Sequence, residues 1–570
     1  MSRLKEHAAR ALGRALARLC IGVLLSGLAA TAFAAERGTE LPLRLTKAER
    51  KLVAAAMKGV IANYTTGNAE SDDPEKGASW GPERTIRAEV IYALATSKST
   101  DVHAKGVEVA GAKIVGVLDF DSAELPHPLW LWNCFIAEPI VLWDASALTI
   151  GLNGSRVAGI HADRLLARGG VFLQNGFHST GEVVLRGARI GGDLDCIGGR
   201  FENANGSALN ADSATVDGRV FLNSGFNAKG EVRLLATKIG GHLDCAGGRF
   251  ENANGRALSA DGAIVDGGVL LTEGFYATGE VRLVGAKIGG DLVCLGGTFS
   301  NPGGIALSLN RASVAATLLL SDPVPRSWQI AGAVDLRYAQ VGELEDDEKS
   351  WPAAKELLLD GFAYARLAGD NTPWRALDWS DDGGEHKGRL YWLSLQPSFH
   401  PQPYEQLAAV LRDMGHEREA SEVEIARREK LRADLGFWSW FGDWFLDFTI
   451  GYGLKPWRAF FGLVFAFALG WLLLWGANRT GMMVPTEKEA FVSHQANPAS
   501  LPPGYPAFKP LLYDLDSLLP GIDLHQKSHW RLQEKRPRDR LYSFAFVLYY
   551  VVWWTSFTLL GAALTGLLKA

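Results

Sequence analysis

GGDLDCIGGRFENANGSALNADSATVDG at residues 191–218 returns almost letter for letter as GGHLDCAGGRFENANGRALSADGAIVDG at residues 240–267. A looser third copy opens at Gly289. Cys196, Cys245 and Cys294 lie 49 residues apart, as do Glu182, Glu231 and Glu280. A finer beat runs through Phe177, Phe201, Phe226, Phe250, Phe275 and Phe299, in alternating steps of 24 and 25. Fixed periods of this size mark a repeat architecture. The reading is a coil of about 24–25 residues, with two coils in each 49-residue period.

Short apolar pieces within the repeat, such as Val232-Arg233-Leu234, His242-Leu243-Asp244-Cys245 and Val269-Leu270-Leu271, are separated by Gly, Asn and Asp. Strands of three or four residues between turn formers predict a β-helix, and no piece has the length of a helical repeat. Coils stacked at about 4.8 Å over roughly ten turns give a solenoid about 45–50 Å long. Alternation along a strand sends Leu194 and Cys196 to one face and Asp193 and Asp195 to the other. The aliphatic, Phe and Cys ladders are therefore expected inside. The charged ladders, Glu182/Glu231/Glu280 and Arg189/Lys238/Lys287, are expected to balance each other on solvated faces.

The motif GAKIGGDLVCLGGTF, with GARIGGDLDCIGGRF and GAKIVGVLDF, resembles the right-handed pentapeptide-like β-helix repeats of bacterial proteins. Their usual coil is shorter, which implies that corners such as FENANG bulge outward. The wider arrangement resembles a family of bacterial membrane proteins built on such helices. The matching landmarks run in order: WGPERTIRAEVIYAL (80–94), the GAKI and GARI coils, LLLDGFAYARL (357–367), PQPYEQLAAVLRDMGHEREA (401–420) and LYDLDSLLPGIDLHQKSHW (512–530). Members often carry the label "membrane-associated oxidoreductase". The resemblance implies architecture and membrane location; it brings no catalytic motif to carry over.

The remaining segments arrange themselves around the repeat. With 570 residues and 47% hydrophobic content, the chain is too long for one core. Its formal net charge of −5 points away from nucleic acid and other polyanions. Residues 1–34 read as an export signal, cleaved or kept as an anchor, with Arg3, Lys5, Arg10, Arg14 and Arg18 before an apolar run that ends in Ala32-Phe33-Ala34. Residues 35–105 carry helical periodicity over Ala48–Ala62 and Arg84–Ala95, and are expected to cap the first coil. The β-helix is placed at residues 106–345. A helical region follows at 346–435, where Pro403–Lys430 resembles a tetratricopeptide-type hairpin with Leu407, Ala408, Leu411, Gly415 and Ala420 at packing positions.

Residues 436–458, with Trp438, Trp440, Trp444 and Trp457, read as a helix lying at a bilayer surface. Residues 459–476 and 541–568 are long and apolar enough to span a membrane, joined by a connecting loop at 477–540. Neither span holds a charged residue, which argues against an ion pathway through the pair. Arg531, Lys535, Arg536, Arg538 and Arg540 place that loop in the cytoplasm by the positive-inside rule. Arg432, Lys455 and Arg458 on the other side partly cancel it.

Site chemistry in the sequence is sparse. The Cys column cannot form disulfides, because neighbours two coils apart are about 9–10 Å from one another, beyond disulfide reach. Cys134 stands outside that column. The cysteines read as small core residues, with a redox or metal column as the functional alternative. His242-Leu243-Asp244-Cys245 resembles a ligand set, but alternation puts His242 and Asp244 outside and Cys245 inside. Gly191-Gly192, Gly240-Gly241 and Gly289-Gly290 recur too regularly for a nucleotide loop and read as corners. The expected catalytic and metal sets are therefore empty, no cofactor is expected, and no residue is assigned to binding one. The leading function is an interaction or scaffold surface in the bacterial envelope, in the inner membrane with a periplasmic β-helix. Its partners would be the lipid bilayer and an unidentified envelope protein, with the oligomeric state open. The oxidoreductase implied by the family label is the alternative, and an accessory subunit of a transporter or channel the third reading.

Overall fold

The structure is a computed structural model that describes residues 41–565 apart from 43, 100, 321–328, 347–349, 369–387, 433–435, 454–456, 499, 520 and 534–538. The proposed signal at 1–34 lies outside the described residues, as do Lys455, Lys535, Arg536 and Arg538. The chain divides into two compact units, with the break between Met414 and Gly415.

The first unit is a parallel β-solenoid of about 11 turns. Among the described residues its strands form two sheets, of 21 and 15 strands. Each coil supplies strand segments to four columns, two in each sheet. Arg189-Ile190 and Leu194-Asp195 lie in the larger sheet. The long strand Arg200–Asn210 serves both columns of the smaller one, pairing with His178-Ser179 at one end and Val183-Val184 at the other. The alternation holds: Leu194 and Cys196 are fully buried, while Asp193 and Asp195 are part-exposed. Phe177 to Phe299 form one interior column, their rings tilted and 5.2–5.3 Å apart from coil to coil.

The coils are not of one length, as the even beat of the phenylalanines led us to expect. Register gives a short coil from Ile150 to Val171. Further along, the coil from Leu194 to Val220 is long and the next, from Val220 to Leu243, is short again. Long and short then alternate once more through Val269 and Leu292. The extra residues of the long coils are the FENANG corners. Arg200–Asn210 has 11 residues against seven in its neighbour Asn227–Arg233. The register breaks between Glu202 and Ser207. Asn203 Nδ2 closes the bulge on Ser207 O at 2.9 Å, and Asn252 and Asn301 do the same in the later periods. Beneath the three bulges lie Gly230, Gly279 and Gly332, at φ +120°, +106° and +122°. A Cβ on Gly279 would stand 2.3 Å from Asn252 O, so the short coil needs glycine where the long coil folds over it. The Phe markers keep even time because the phenylalanine of each short coil stands ahead of its register position: Phe201 pairs with Ala228 rather than with Phe226, yet the rings still meet.

The N-terminal cap is part helix and part solenoid. Helix α1 (Lys47–Lys58) starts on a Thr46/Glu49 capping box and stops at Gly59, whose φ of +64° ends the helix before Ala62. Ala62-Asn63 and Thr85–Arg87 are strands that pair with Val109-Ala110 and Lys113–Val115, and so begin both sheets. The helix expected from Arg84 therefore starts only at Ala88, as α2 (Ala88–Ala95). Glu49, fully buried, accepts from Arg87 at 2.7 and 2.8 Å and ties the helix to this first strand.

At the other end the solenoid passes the expected boundary at 345. Leu357-Leu358 and Ala363–Ala368 pair with the preceding coil. LLLDGFAYARL is therefore a last coil, with Leu357, Leu359, Phe362 and Tyr364 turned inward by strand alternation. Helices α3 (Arg389–Ser394) and α4 (Pro401–Asp413) follow. Gln402 of α4 binds Gly361 N and Phe362 O, and Gln406 binds Tyr364 O. These amides satisfy backbone groups that a last coil leaves open.

The second unit begins with α5 (Glu417–Arg432); Gly415, at φ +87°, separates it in sequence from α4. Next come α6 (Phe437–Ile450) and α7 (Trp457–Arg479). The segment expected as a connecting loop is itself folded. It holds α8 (Lys488–Ala496), α9 (Pro510–Leu518) and an antiparallel pair, Met483–Pro485 with Trp530–Leu532. Helix α10 (Asp539–Leu564) completes the chain's described elements. Trp530, Tyr513, Met482 and Met483 form a core with Leu474 and Ala477 of α7, which is why this segment is not a free loop.

Candidate functional site

The cysteines lie in the solenoid interior. Cys134, Cys196, Cys245 and Cys294 are fully buried and free. Burial pushes the Cys134 thiol up to about 12, and holds those of Cys196 and Cys245 far above the ordinary cysteine range. The column spacing follows from the coils: Leu222 lies between Cys196 and Cys245, and Leu271 between Cys245 and Cys294. Thiols of this kind carry almost no thiolate at neutral pH, and thiolate is the reactive and metal-binding form. His242 is exposed and its Nδ1 accepts from Gly268 N at 2.9 Å, on the face opposite Cys245. Among the described residues no group of three His, Cys, Asp or Glu side chains is placed to hold a metal ion.

The two charged ladders do not balance each other, because they stand on different sheets. Arg189, Lys238 and Lys287 are exposed in the larger sheet and make no ion pair among the described residues. Glu231 and Glu280, in the smaller sheet, are half-buried and pair with arginines of that sheet, Arg233 and Arg282, each at 3.6 Å. Glu231 also accepts from Ser259 Oγ at 2.6 Å. Arg233 and Arg282 in turn reach Asp212 and Asp261 at 2.6 Å. Gly191-Gly192 and Gly240-Gly241 are corners, as expected. A Cβ on Gly240 would stand 2.3 Å from Asp217 O in the neighbouring coil.

A polar cluster missed in the sequence joins the cap to the coils. His178 is nearly buried, with Nδ1 against Glu75 of the cap and Nε2 3.4 Å from Glu202. Arg156 holds Glu75 at 2.8 Å. Lys229 holds Glu202 at 2.9 Å, and Glu202 is kept down near 2 by its cationic partners against the opposing effect of burial. Glu75 belongs to the cap and Glu202 to a coil far along the chain, so no local spacing reveals them.

The second unit holds the long apolar helices. Helices α7 and α10 include two segments, Trp457–Arg479 and Arg540–Ala562, long and apolar enough to cross a membrane. Helix α6 presents Phe437, Trp438, Phe441 and Phe448 outward, and Trp440, Trp444 and Phe448 run in a near-parallel stack. Its other face is polar: Arg432 binds Asp443 at 2.5 Å and Asp447 at 2.9 Å, and Tyr452 donates to Asp443 at 2.6 Å. Aromatic side chains on one face and part-buried ion pairs on the other make α6 amphipathic. Between the spans, α9 brings a carboxylate the span sequences lack. Asp514 is fully buried and accepts from Tyr549 of α10 at 2.5 Å, while its Oδ2 has no partner among the described residues. Asp516, close by on the same helix, accepts from three backbone N–H groups, of Leu524, Gln526 and Lys527.

No family model, curated protein or solved structure matches the chain.

Proposed function

We propose that the chain is a membrane-anchored β-solenoid of the bacterial cell envelope, held in the inner membrane with its solenoid in the periplasm. The solenoid acts as an interaction or scaffold surface and has no active site of its own. One observation carries the reading: the cysteines, bulge asparagines and sheet glutamates of the repeat are engaged by the repeat itself. Its cysteines fill the core. Its asparagines close the bulges, and its glutamates pair along the sheet. The two apolar helices and the aromatic face of α6 support a membrane anchor. The resemblance to pentapeptide-like membrane proteins points the same way. The oxidoreductase reading, if it runs through the cysteine column, needs a thiolate in a place where burial opposes one.

The test is thiol labelling in intact cells. Lys238→Cys places a reporter on the exposed face of the larger sheet, with Cys245 as the inward comparison. The proposal expects position 238 to label once the outer membrane alone is permeabilised, while Cys245 stays silent until unfolding. Labelling at 238 only after the inner membrane is opened would overturn the periplasmic placement. Ready labelling of Cys245 in the folded protein would overturn the core assignment and revive the redox reading.

A further inference from the structure

We infer that the end of the helix pair α7 and α10 that holds Arg479, Arg531 and Arg540 docks on anionic phospholipid headgroups, with the arginines taking the headgroup phosphates. The inference deepens the reading of the second unit as a membrane anchor and rests on it. Helix packing brings the three residues together. A Cβ on Gly470 would stand 2.4 Å from the Tyr549 ring, and one on Gly476 3.2 Å from Tyr542 Oη, so α7 and α10 run antiparallel. Arg479 at the end of α7 and Arg540 at the start of the second span therefore lie less than a turn beyond one shared level. Trp530 packs on Leu474 and Ala477, and Leu532 and Tyr542 join the same core. Arg531, between Trp530 and Leu532, belongs to this end too. All three arginines are exposed.

The two ends of the pair are charged differently. Beside the start of α7, Arg432 holds Asp443 at 2.5 Å and Asp447 at 2.9 Å, and Arg458 holds Asp447 at 3.5 Å. At the other end Arg479, Arg531 and Arg540 have no ion pair among the described residues. Residues 531–540 carry five cations, Arg531, Lys535, Arg536, Arg538 and Arg540, against two carboxylates, Glu534 and Asp539. Pairing within that stretch cannot neutralise it. Elsewhere between the spans the exposed charges balance: Glu487, Glu489 and Asp523 are matched in number by Lys488, Lys509 and Lys527. Open guanidinium groups favour a phosphate, which they can grip with two N–H groups at once.

Position makes that phosphate a lipid's. Arg458 and Arg479 are 21 residues apart on one helix, about 32 Å at the helical rise. A hydrocarbon core is about 30 Å thick, so the two arginines reach opposite headgroup layers. The lipid-facing surface also begins at this end, since Leu541, Phe544, Val547 and Leu548, directly after Arg540, are exposed. The Arg479 guanidinium lies 3.7 Å over the ring of Trp475, itself exposed. A tryptophan at the hydrocarbon edge with a guanidinium stacked on it holds the N–H groups at phosphate height.

The experiment uses the full chain, delipidated in a detergent without phosphate and incubated with equimolar phosphatidylglycerol and phosphatidylcholine. Retained lipid is measured by mass spectrometry. Phosphatidylglycerol is expected to be retained at least tenfold over phosphatidylcholine, and the combined variant Arg479→Gln, Arg531→Gln, Arg540→Gln to retain the two equally. Each cation near an anionic surface is worth about a fivefold preference. Arg531→Gln alone should therefore lower the ratio about fivefold, which keeps the test valid if the combined variant misfolds. Lys238→Gln in the solenoid should leave it unchanged. Equal retention of both lipids by the wild type, or a full preference in the arginine variants, would overturn the inference. Displacement of phosphatidylglycerol by inorganic phosphate would overturn it too, because a free anion would then suffice. Membrane anchoring is read separately by alkaline carbonate extraction. A chain that stays in the membrane pellet without a lipid preference refutes this inference alone, whereas one released into the supernatant refutes the anchor itself.

Discussion

Replacing Phe250 by alanine tests the stacked interior directly. The ring is fully buried and packs on Phe226 and Phe275, each at 5.2 Å, in the middle of the column. Phe-to-Ala changes in cores cost about 3–5 kcal/mol, and an aromatic neighbour adds about 0.5–1.5 kcal/mol beyond burial. With two ring neighbours lost and a rigid backbone on either side, the upper half of that range applies. Solenoid stability is a sum of coil and nearest-neighbour terms, so the loss should stay local. Hydrogen exchange of the full chain should show protection falling by roughly three to three and a half orders of magnitude, at about 1.4 kcal/mol per tenfold, in the coils from Phe226 to Phe275. The strands at Val107–Ala110 and Leu129–Trp132 should keep theirs. A loss below tenfold, or one spread evenly along the solenoid, would refute the idea that this column holds the coils one to the next.

The bulge geometry predicts that Gly279→Ala costs more than about 2 kcal/mol through its clash with Asn252 O. Gly262→Ala, at φ +63° with open space, should cost only the ~1 kcal/mol of a left-handed residue; urea midpoints of the two variants decide it. The Arg87 hydrogen bond, with help from backbone donors, holds Glu49 down at about 2. Its stabilising share is thus present above the ordinary 4.5 and is lost as pH falls towards 2. Glu49→Gln should lower neutral-pH stability by about 2 kcal/mol, discounted for the part-exposed Arg87, and flatten the acid limb of the thermal unfolding curve. Asp514 behaves oppositely: burial pushes its carboxyl up to about 6, so folding favours the protonated form and stability declines as pH rises from about 4 to 6. Asp514→Asn, which still accepts from Tyr549, should gain up to about 3 kcal/mol at pH 7 and nothing at pH 4. An equal gain at both pH values in detergent-solubilised protein would show that ionisation is not the cause.

The repeat itself was legible because periodicity is a property of the chain. Cys196, Cys245 and Cys294 keep step, Leu194 and Asp195 alternate, and strand geometry turns that alternation into an inside and an outside without reference to anything distant. The cysteines' place in the core and the solenoid class follow from these local facts, and so do the apolar lengths of the two spans. What the chain could not show is how neighbouring coils share their length. The even beat of the phenylalanines conceals an alternation of long and short coils, because the bulge is compensated in the next coil and only pairing reveals it. The same holds for LLLDGFAYARL, whose strand character depends on an edge to pair with, and for the two charged ladders, which sequence put together and the sheets keep apart. Glu75 against His178 and Asp514 against Tyr549 are contacts between residues that no spacing rule links. They exist because a solenoid stacks distant segments and a helix pair receives a third helix. Sequence determined the periods and faces; tertiary packing alone decided which side chains meet.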